Sequence, residues 1–190
     1  MDQSSEAGIL KPGLILRSTG LEFGMAVADF GCGGTGPFTM EAAKIAGNQG
    51  KVYAVDILKS SLSALMARVR LAGYTNVIPV WSNLERFGAA KAIHDGSVDF
   101  GIVANALYQS SHPEAVLKEV FRTLKGGGRA LVIEWNTGRA TIGPTEKELV
   151  PADQIRSYLE KLGARELEFF DAGLYHYGMV IEKVGRAPSS

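Results

Sequence analysis

Residues 29–36 read Asp-Phe-Gly-Cys-Gly-Gly-Thr-Gly, and Asp56 follows Gly36 by twenty positions. Glycines take up positive φ and let main-chain N–H groups approach a ligand closely. A carboxylate at that distance is placed to accept both hydroxyls of a ribose. The chemistry implied is the holding of an adenosine-containing cofactor. Taken literally, Gly31-x-Gly33-x-x-Gly36 is the G-x-G-x-x-G pattern of dinucleotide sites. Asp29 argues for a different ligand. It lies two residues before the first glycine, where a pyrophosphate would meet a like charge. S-adenosylmethionine has no phosphate; it carries a cationic amino group and a sulfonium, and both favour a nearby acid.

The elements that position these residues are legible from periodicity. A short apolar strand at 25–28 runs into the glycine loop, and Pro37 opens a helix over 37–46 whose N-terminus points at the same spot. Asp56 ends a second strand, 52–55. Leu62, Leu65, Met66 and Val69 recur at helical spacing and Gly73 ends that helix. A third strand is expected at 77–81, with Pro79 marking it as an edge. Residues 98–104 form a continuous apolar run, the pattern of a strand buried on both faces. Pro113 starts a helix with Val116, Leu117, Val120, Phe121 and Leu124 on its core face. The glycines at 126–128 turn into a strand over 129–135, Pro151 opens another helix, and Gly163 closes it. Two alternating runs, 165–170 and 177–183, form a terminal hairpin. Repeated strand–helix units imply a parallel sheet.

The segment Val27-Ala-Asp-Phe-Gly-Cys-Gly-Gly-Thr-Gly36 resembles the first motif of the class I (Rossmann-like) S-adenosylmethionine-dependent methyltransferases, usually D-x-G-x-G-x-G. Residues 52–56, 81–83 and 98–108 are similar to the second, third and fourth motifs, and 117–134 to the helix, turn and strand that follow. The resemblance covers residues 10 to 184. It implies an α/β fold: a mostly parallel seven-stranded sheet, helices on both faces, and a C-terminal antiparallel hairpin. It also implies S-adenosylmethionine as cofactor, held by Asp29, Gly31, Cys32, Gly33, Gly36, Asp56, Ile57, Asn83, Leu84 and Asn105. Two departures stand out. One extra residue in the loop creates the dinucleotide-like spacing, and Asn83 replaces the usual acid that faces the adenine amine.

On the acceptor side, methyl transfer from a sulfonium is already downhill, so alignment is the protein's main task. Asn105, Tyr108 and Gln109 lie just past the fourth strand, at the carboxyl edge where open α/β sheets bind ligands. Tyr108 is a candidate catalytic residue or a wall of the cofactor cleft. His112 is a candidate general base, although its place before Pro113 equally suits a solvated helix start. Leu174-Tyr-His-Tyr177 reads as the hairpin tip, lining the substrate entrance or packing as a surface aromatic cluster. Residues 10–16 and 136–150 are the natural lids.

Composition bounds the class. The 190 residues are 46% hydrophobic, and 20 basic side chains balance 20 acidic ones. One domain over 1–184 with a flexible tail at 185–190 is expected. Bulk charge points to neither nucleic acid nor an anionic membrane. The single cysteine, Cys32, makes no internal disulfide, and no signal peptide or long apolar run is visible, so a cytoplasmic location is expected. No His/Cys/Asp cluster has metal-ligand spacing. The expected partner is a small-molecule methyl acceptor. Three functions stay open from the residues: a methyltransferase, a nicotinamide-dependent oxidoreductase, and a cofactor-binding module without catalysis; a protein or RNA acceptor is a further variant of the first.

Overall fold

The computed structural model describes residues 10–136 and 143–185. Seven strands form one sheet in the order β3-β2-β1-β4-β5-β7-β6: β1 (Ala26–Phe30), β2 (Lys51–Asp56), β3 (Val77–Trp81), β4 (Val98–Ala104), β5 (Leu124–Trp135), β6 (Ala164–Asp171) and β7 (His176–Lys183). The first five pair in parallel. β7 inserts antiparallel between β5 and β6. The chain steps outward from β1 to β3 and returns on the other side of β1 as β4. The reversal opens a crevice at the carboxyl ends of β1 and β4, the switch point where such sheets take ligands.

Alternate strand residues feed two cores. Val27, Val52, Ala54, Phe100, Ile102, Leu131 and Ile133 pack with α1 (Pro12–Ser18), α2 (Pro37–Ala46) and α3 (Lys59–Leu71) on one face. Ala28, Phe30, Tyr53, Val55, Val103 and Val132 pack with α4 (Pro113–Thr123) and α5 (Ala152–Lys161) on the other. Burial on both faces explains why these strands read as apolar runs rather than alternating ones. The edge position of β3 agrees with Pro79, which has no N–H to give to a further strand.

The structure differs from the sequence reading at β5. It starts at Leu124 rather than Arg129, because Val98 already pairs with Leu124 before Phe100 pairs with Arg129. The glycine turn is therefore an excursion inside the ladder, with Gly127 at φ 77°. Beside it, the carboxylate of Glu119 is fully buried and accepts the N–H groups of Gly88 and Ala90 and the guanidinium of Arg122. That cluster ties the long β3–β4 connection to α4. Of the expected tail only Gly185 lies among the described residues. No helix among those residues is long and apolar enough to cross a membrane.

Candidate cofactor and acceptor site

Two cavities open at the switch point and share Gly31, Gly33 and Gln109 as a common wall. The first, about 320 Å³, is lined by Asp56, Ile57, Leu58, Ser82, Asn83 and Leu84 among others. The second, about 500 Å³, takes Leu10, Asp29, Cys32, Phe38, Asn105 and His176.

The loop between β1 and α2 is held from below. Gly31 and Cys32 donate their N–H groups to the Val55 carbonyl, and Gly33 donates to Asp56 Oδ2 at 2.9 Å. The other Asp56 oxygen accepts the Leu58 N–H at 2.8 Å. A carboxylate offers about four lone-pair directions, so two remain for a ligand. Gly31 has φ 84°, and a Cβ there would stand 2.7 Å from the Ala106 methyl. The loop thus packs directly on the turn after β4. A Cβ at Gly33 would meet nothing within 4 Å, since that residue faces open space.

Asp29 ends up buried in the second cavity's wall, and Thr39 Oγ1 donates to its Oδ2 at 2.5 Å. Burial pushes its carboxyl up to about 7, opposed by the hydroxyl and main-chain hydrogen bonds of Thr39. The positive end of α2 is therefore already occupied by the protein's own carboxylate. Pro37, at the first helical position, removes a further N–H. A phosphate bound there would face the Asp29 carboxyl, whereas an ammonium would find an acid. Cys32 is buried beside these acids, and burial first, then the charges of Asp29 and Asp56, holds its thiol above the usual range. It stays a protonated apolar filler.

Asn83 lies in the first cavity with its Oδ1 accepting the Glu85 N–H at 2.9 Å. Its amide N–H₂ is then the more available group for an adenine ring nitrogen. Ser82 Oγ, buried in the same cavity, has no partner among the described residues. Ile57 and Leu58 are exposed apolar rims of that cavity. Asn105 adopts φ 54°, rare for a side-chain-bearing residue, and its Oδ1 is buried without a partner in the second cavity. Such strain is a recurring mark of ligand sites.

Three sequence candidates fall elsewhere. Gly36 lines neither cavity; it caps α2 in the left-handed conformation, and a Cβ there would run into Leu65 Cδ1. Tyr108 also lies outside both cavities. The turn closed by Ser110 N–H to Leu107 O drives Leu107 into the core and lays Tyr108 against it. Burial, with the charges of Glu134 and Glu148, raises its hydroxyl above the usual tyrosine range, so it holds its proton. His112 is exposed at the N-cap of α4 and borders neither cavity, which fits the solvated helix start. Of the expected lids, Leu10 and Pro12 do reach the second cavity. The described part of 136–150 does not, and 137–142 lie outside the described residues. At the hairpin, His176 and Tyr177 belong to β7 and are buried rather than at the tip. Tyr177 donates to the Val150 carbonyl at 2.7 Å, a structural role.

Sequence reasoning missed Glu134. It is fully buried, accepts the Leu107 N–H at 2.7 Å, and is pushed up to about 7 mainly by burial. A signal was present: β1, β2 and β5 each carry a single acid at or next to the carboxyl end of an apolar run, Asp29, Asp56 and Glu134.

A sequence model of the ubiE/COQ5 methyltransferase family matches residues 11–147. Ubiquinone/menaquinone biosynthesis C-methyltransferases from Cronobacter sakazakii and Yersinia pestis are each 33% identical over 162 residues, 84% of this chain. The chain spans 59% of the length of those relatives. Among solved structures, a SAM dependent methyltransferase from Aquifex aeolicus superposes with TM-score 0.84 at 27% identity, covering 96% of this chain and 94% of that one. A putative type 11 methyltransferase from Sulfolobus solfataricus gives 0.69 at 25%, covering 87% and 86%. The fold and the cofactor expected from the sequence agree with these relatives. The chain belongs to the ubiE/COQ5 methyltransferase family.

Proposed function

We propose that the chain is an S-adenosylmethionine-dependent methyltransferase acting on a small, partly apolar acceptor. The observation that carries this reading is the pair of joined cavities with Asp56 in one and Asp29 in the other. Asp56 would hold the ribose hydroxyls on its two free lone pairs. Asn83, Ile57, Leu58 and Leu84 would enclose the adenine, and Asp29 would neutralise the amino group. When bound, the cofactor supplies an electrophilic methyl; the protein's share is to orient the acceptor against it and exclude water. The apolar second cavity, bordered by Leu10, Pro12, Phe38 and Ala104, suits a compact aromatic or aliphatic body. The quinone-biosynthesis relatives point the same way. A cytoplasmic setting is part of the proposal.

S-adenosylmethionine and S-adenosylhomocysteine are expected to raise the melting temperature. Saturation at a hundredfold Kd corresponds to about 2.7 kcal/mol. NAD and NADP are expected to do little, and a larger shift with NAD would overturn the assignment.

Affinity should also depend on pH through Asp29. Its carboxyl is raised to about 7 by burial, and only the ionised form attracts an ammonium. Affinity for S-adenosylmethionine is therefore expected to rise between pH 6 and 7.5, by up to about tenfold per unit for one linked proton. Asp29→Asn should bind more weakly and flatten the profile. Calorimetry giving the same slope in both proteins would sink this role.

A further inference from the structure

His176 opens β7 opposite Trp135 of β5, and the two rings lie 4.4 Å apart at 39°. Its side chain borders the second cavity, yet the residue is only 6% exposed. Neither ring nitrogen has a hydrogen-bond partner among the described residues. Buried polar groups are nearly always paired, because an orphan forfeits its hydration without recompense. Here a second orphan, Asn105 Oδ1, borders the same cavity. Two unpaired buried groups on one cavity are the arrangement that a ligand with matching hydrogen-bonding groups would complete.

The remaining ionisable groups of that wall do not compete for an acceptor proton. Asp29 is engaged by Thr39 and, on the methyltransferase reading, by the cofactor amino group. The Cys32 thiol is held protonated. Burial lowers His176 from its ordinary value, so the imidazole is neutral and keeps a free lone pair near pH 7.

We propose that His176 is the catalytic residue on the acceptor side, taking the hydroxyl proton of a phenolic or enolic acceptor held in the second cavity with Asn105. This rests on the methyltransferase reading above. The acceptor O–H bond breaks and an N–H bond forms on the imidazole. The electron pair left on oxygen delocalises and makes the neighbouring carbon nucleophilic. That carbon would form its bond to the methyl as the methyl–sulfur bond breaks, the sulfur leaving as a neutral thioether. After transfer the imidazolium returns its proton to oxygen as that carbon loses its own, so one proton per turnover reaches water. No oxidant or reductant is needed. A neutral imidazole is a weak base, so it favours the more acidic hydroxyls of phenols and enols over those of aliphatic alcohols. Proton transfer inside the cavity also creates an ion pair rather than a lone buried charge, which is the less costly outcome.

The chain has three histidines, and His94 and His112 are both exposed, so histidine ring ¹⁵N NMR resolves the question with internal references. The probe is 4-nitrophenol, whose phenolate absorbs separately from the phenol, added to protein saturated with S-adenosylhomocysteine. Binding should move the His176 ring signals toward the imidazolium pattern while the other two stay put. The bound probe should ionise at lower pH than the free one. His176→Gln is expected to weaken probe binding about tenfold or more and abolish that ionisation shift, with S-adenosylhomocysteine affinity retained. Absence of probe binding to the native protein, unmoved His176 signals, or an unchanged ionisation shift in His176→Gln would each overturn the proposal and leave the methyltransferase reading standing. Failure of S-adenosylhomocysteine itself to bind would sink that reading, and this one with it.

Discussion

Asp56→Ala is expected to lower affinity for S-adenosylhomocysteine at least tenfold while the protein still folds. The carboxylate has two jobs. Its oxygens fasten the Gly33 and Leu58 N–H groups, and the same oxygens line the first cavity. Charge-assisted hydrogen bonds are worth roughly 1.5–3 kcal/mol each, so losing two ribose contacts alone exceeds a tenfold change. Freeing the Gly33 N–H also loosens the loop that forms the wall between the cavities. Asp56→Asn keeps one oxygen and the side-chain volume, so its loss should be smaller. Asn83→Ala should be milder still, because only a neutral contact disappears. Isothermal calorimetry on the three variants, alongside their melting curves, separates lost ligand contacts from lost structure. Unchanged affinity in Asp56→Ala would mean that the carboxylate serves the loop alone.

The residues proposed to hold the cofactor are legible in the sequence because they are local. Strand, glycine turn and helix are contiguous, and the acid ending β2 sits one crossover away. Parallel topology then brings Asp29 and Asp56 to the same sheet edge, with Asp29 paired to Ala54 in register. The edge position of β3 followed from Pro79 for the same reason: one residue's missing N–H decides it. The proposed acceptor side was legible only in part: Asn105, Gln109 and His176 were among its expected residues, but the pairing that seats His176 is non-local. In sequence His176 lies among aromatic residues that read as a hairpin tip, and only the antiparallel register of β7 on β5 draws it inward beside Trp135. Tyr108 borders neither cavity while Gln109 borders both, just past the turn in which Asn105 adopts φ 54°. Glu134 fixes that turn from a strand distant in sequence, and no spacing rule links the two.

Gly36→Ala is expected to destabilise the fold by roughly 2–5 kcal/mol while leaving cofactor affinity per folded molecule close to native. The cost has two sources. The left-handed backbone at φ 53° and ψ 48° costs a Cβ-bearing residue about 1–2 kcal/mol. The new methyl must also displace Leu65, which is fully buried between α3 and the sheet, and overpacking of this kind costs typically about 1–3 kcal/mol. Gly33→Ala makes the informative contrast. Its φ of 65° carries the same backbone strain, but a Cβ there meets no protein atom within 4 Å. Because Gly33 faces the joined cavities, its methyl should intrude on the ligand and weaken binding, with a smaller loss of stability. Chemical denaturation and calorimetry on both variants read the two effects separately. If Gly36→Ala lost affinity and Gly33→Ala did not, the last glycine of the motif would be a ligand contact after all. The cavity assignment would then be wrong at its centre, because Gly33 is one of the residues that join its two halves.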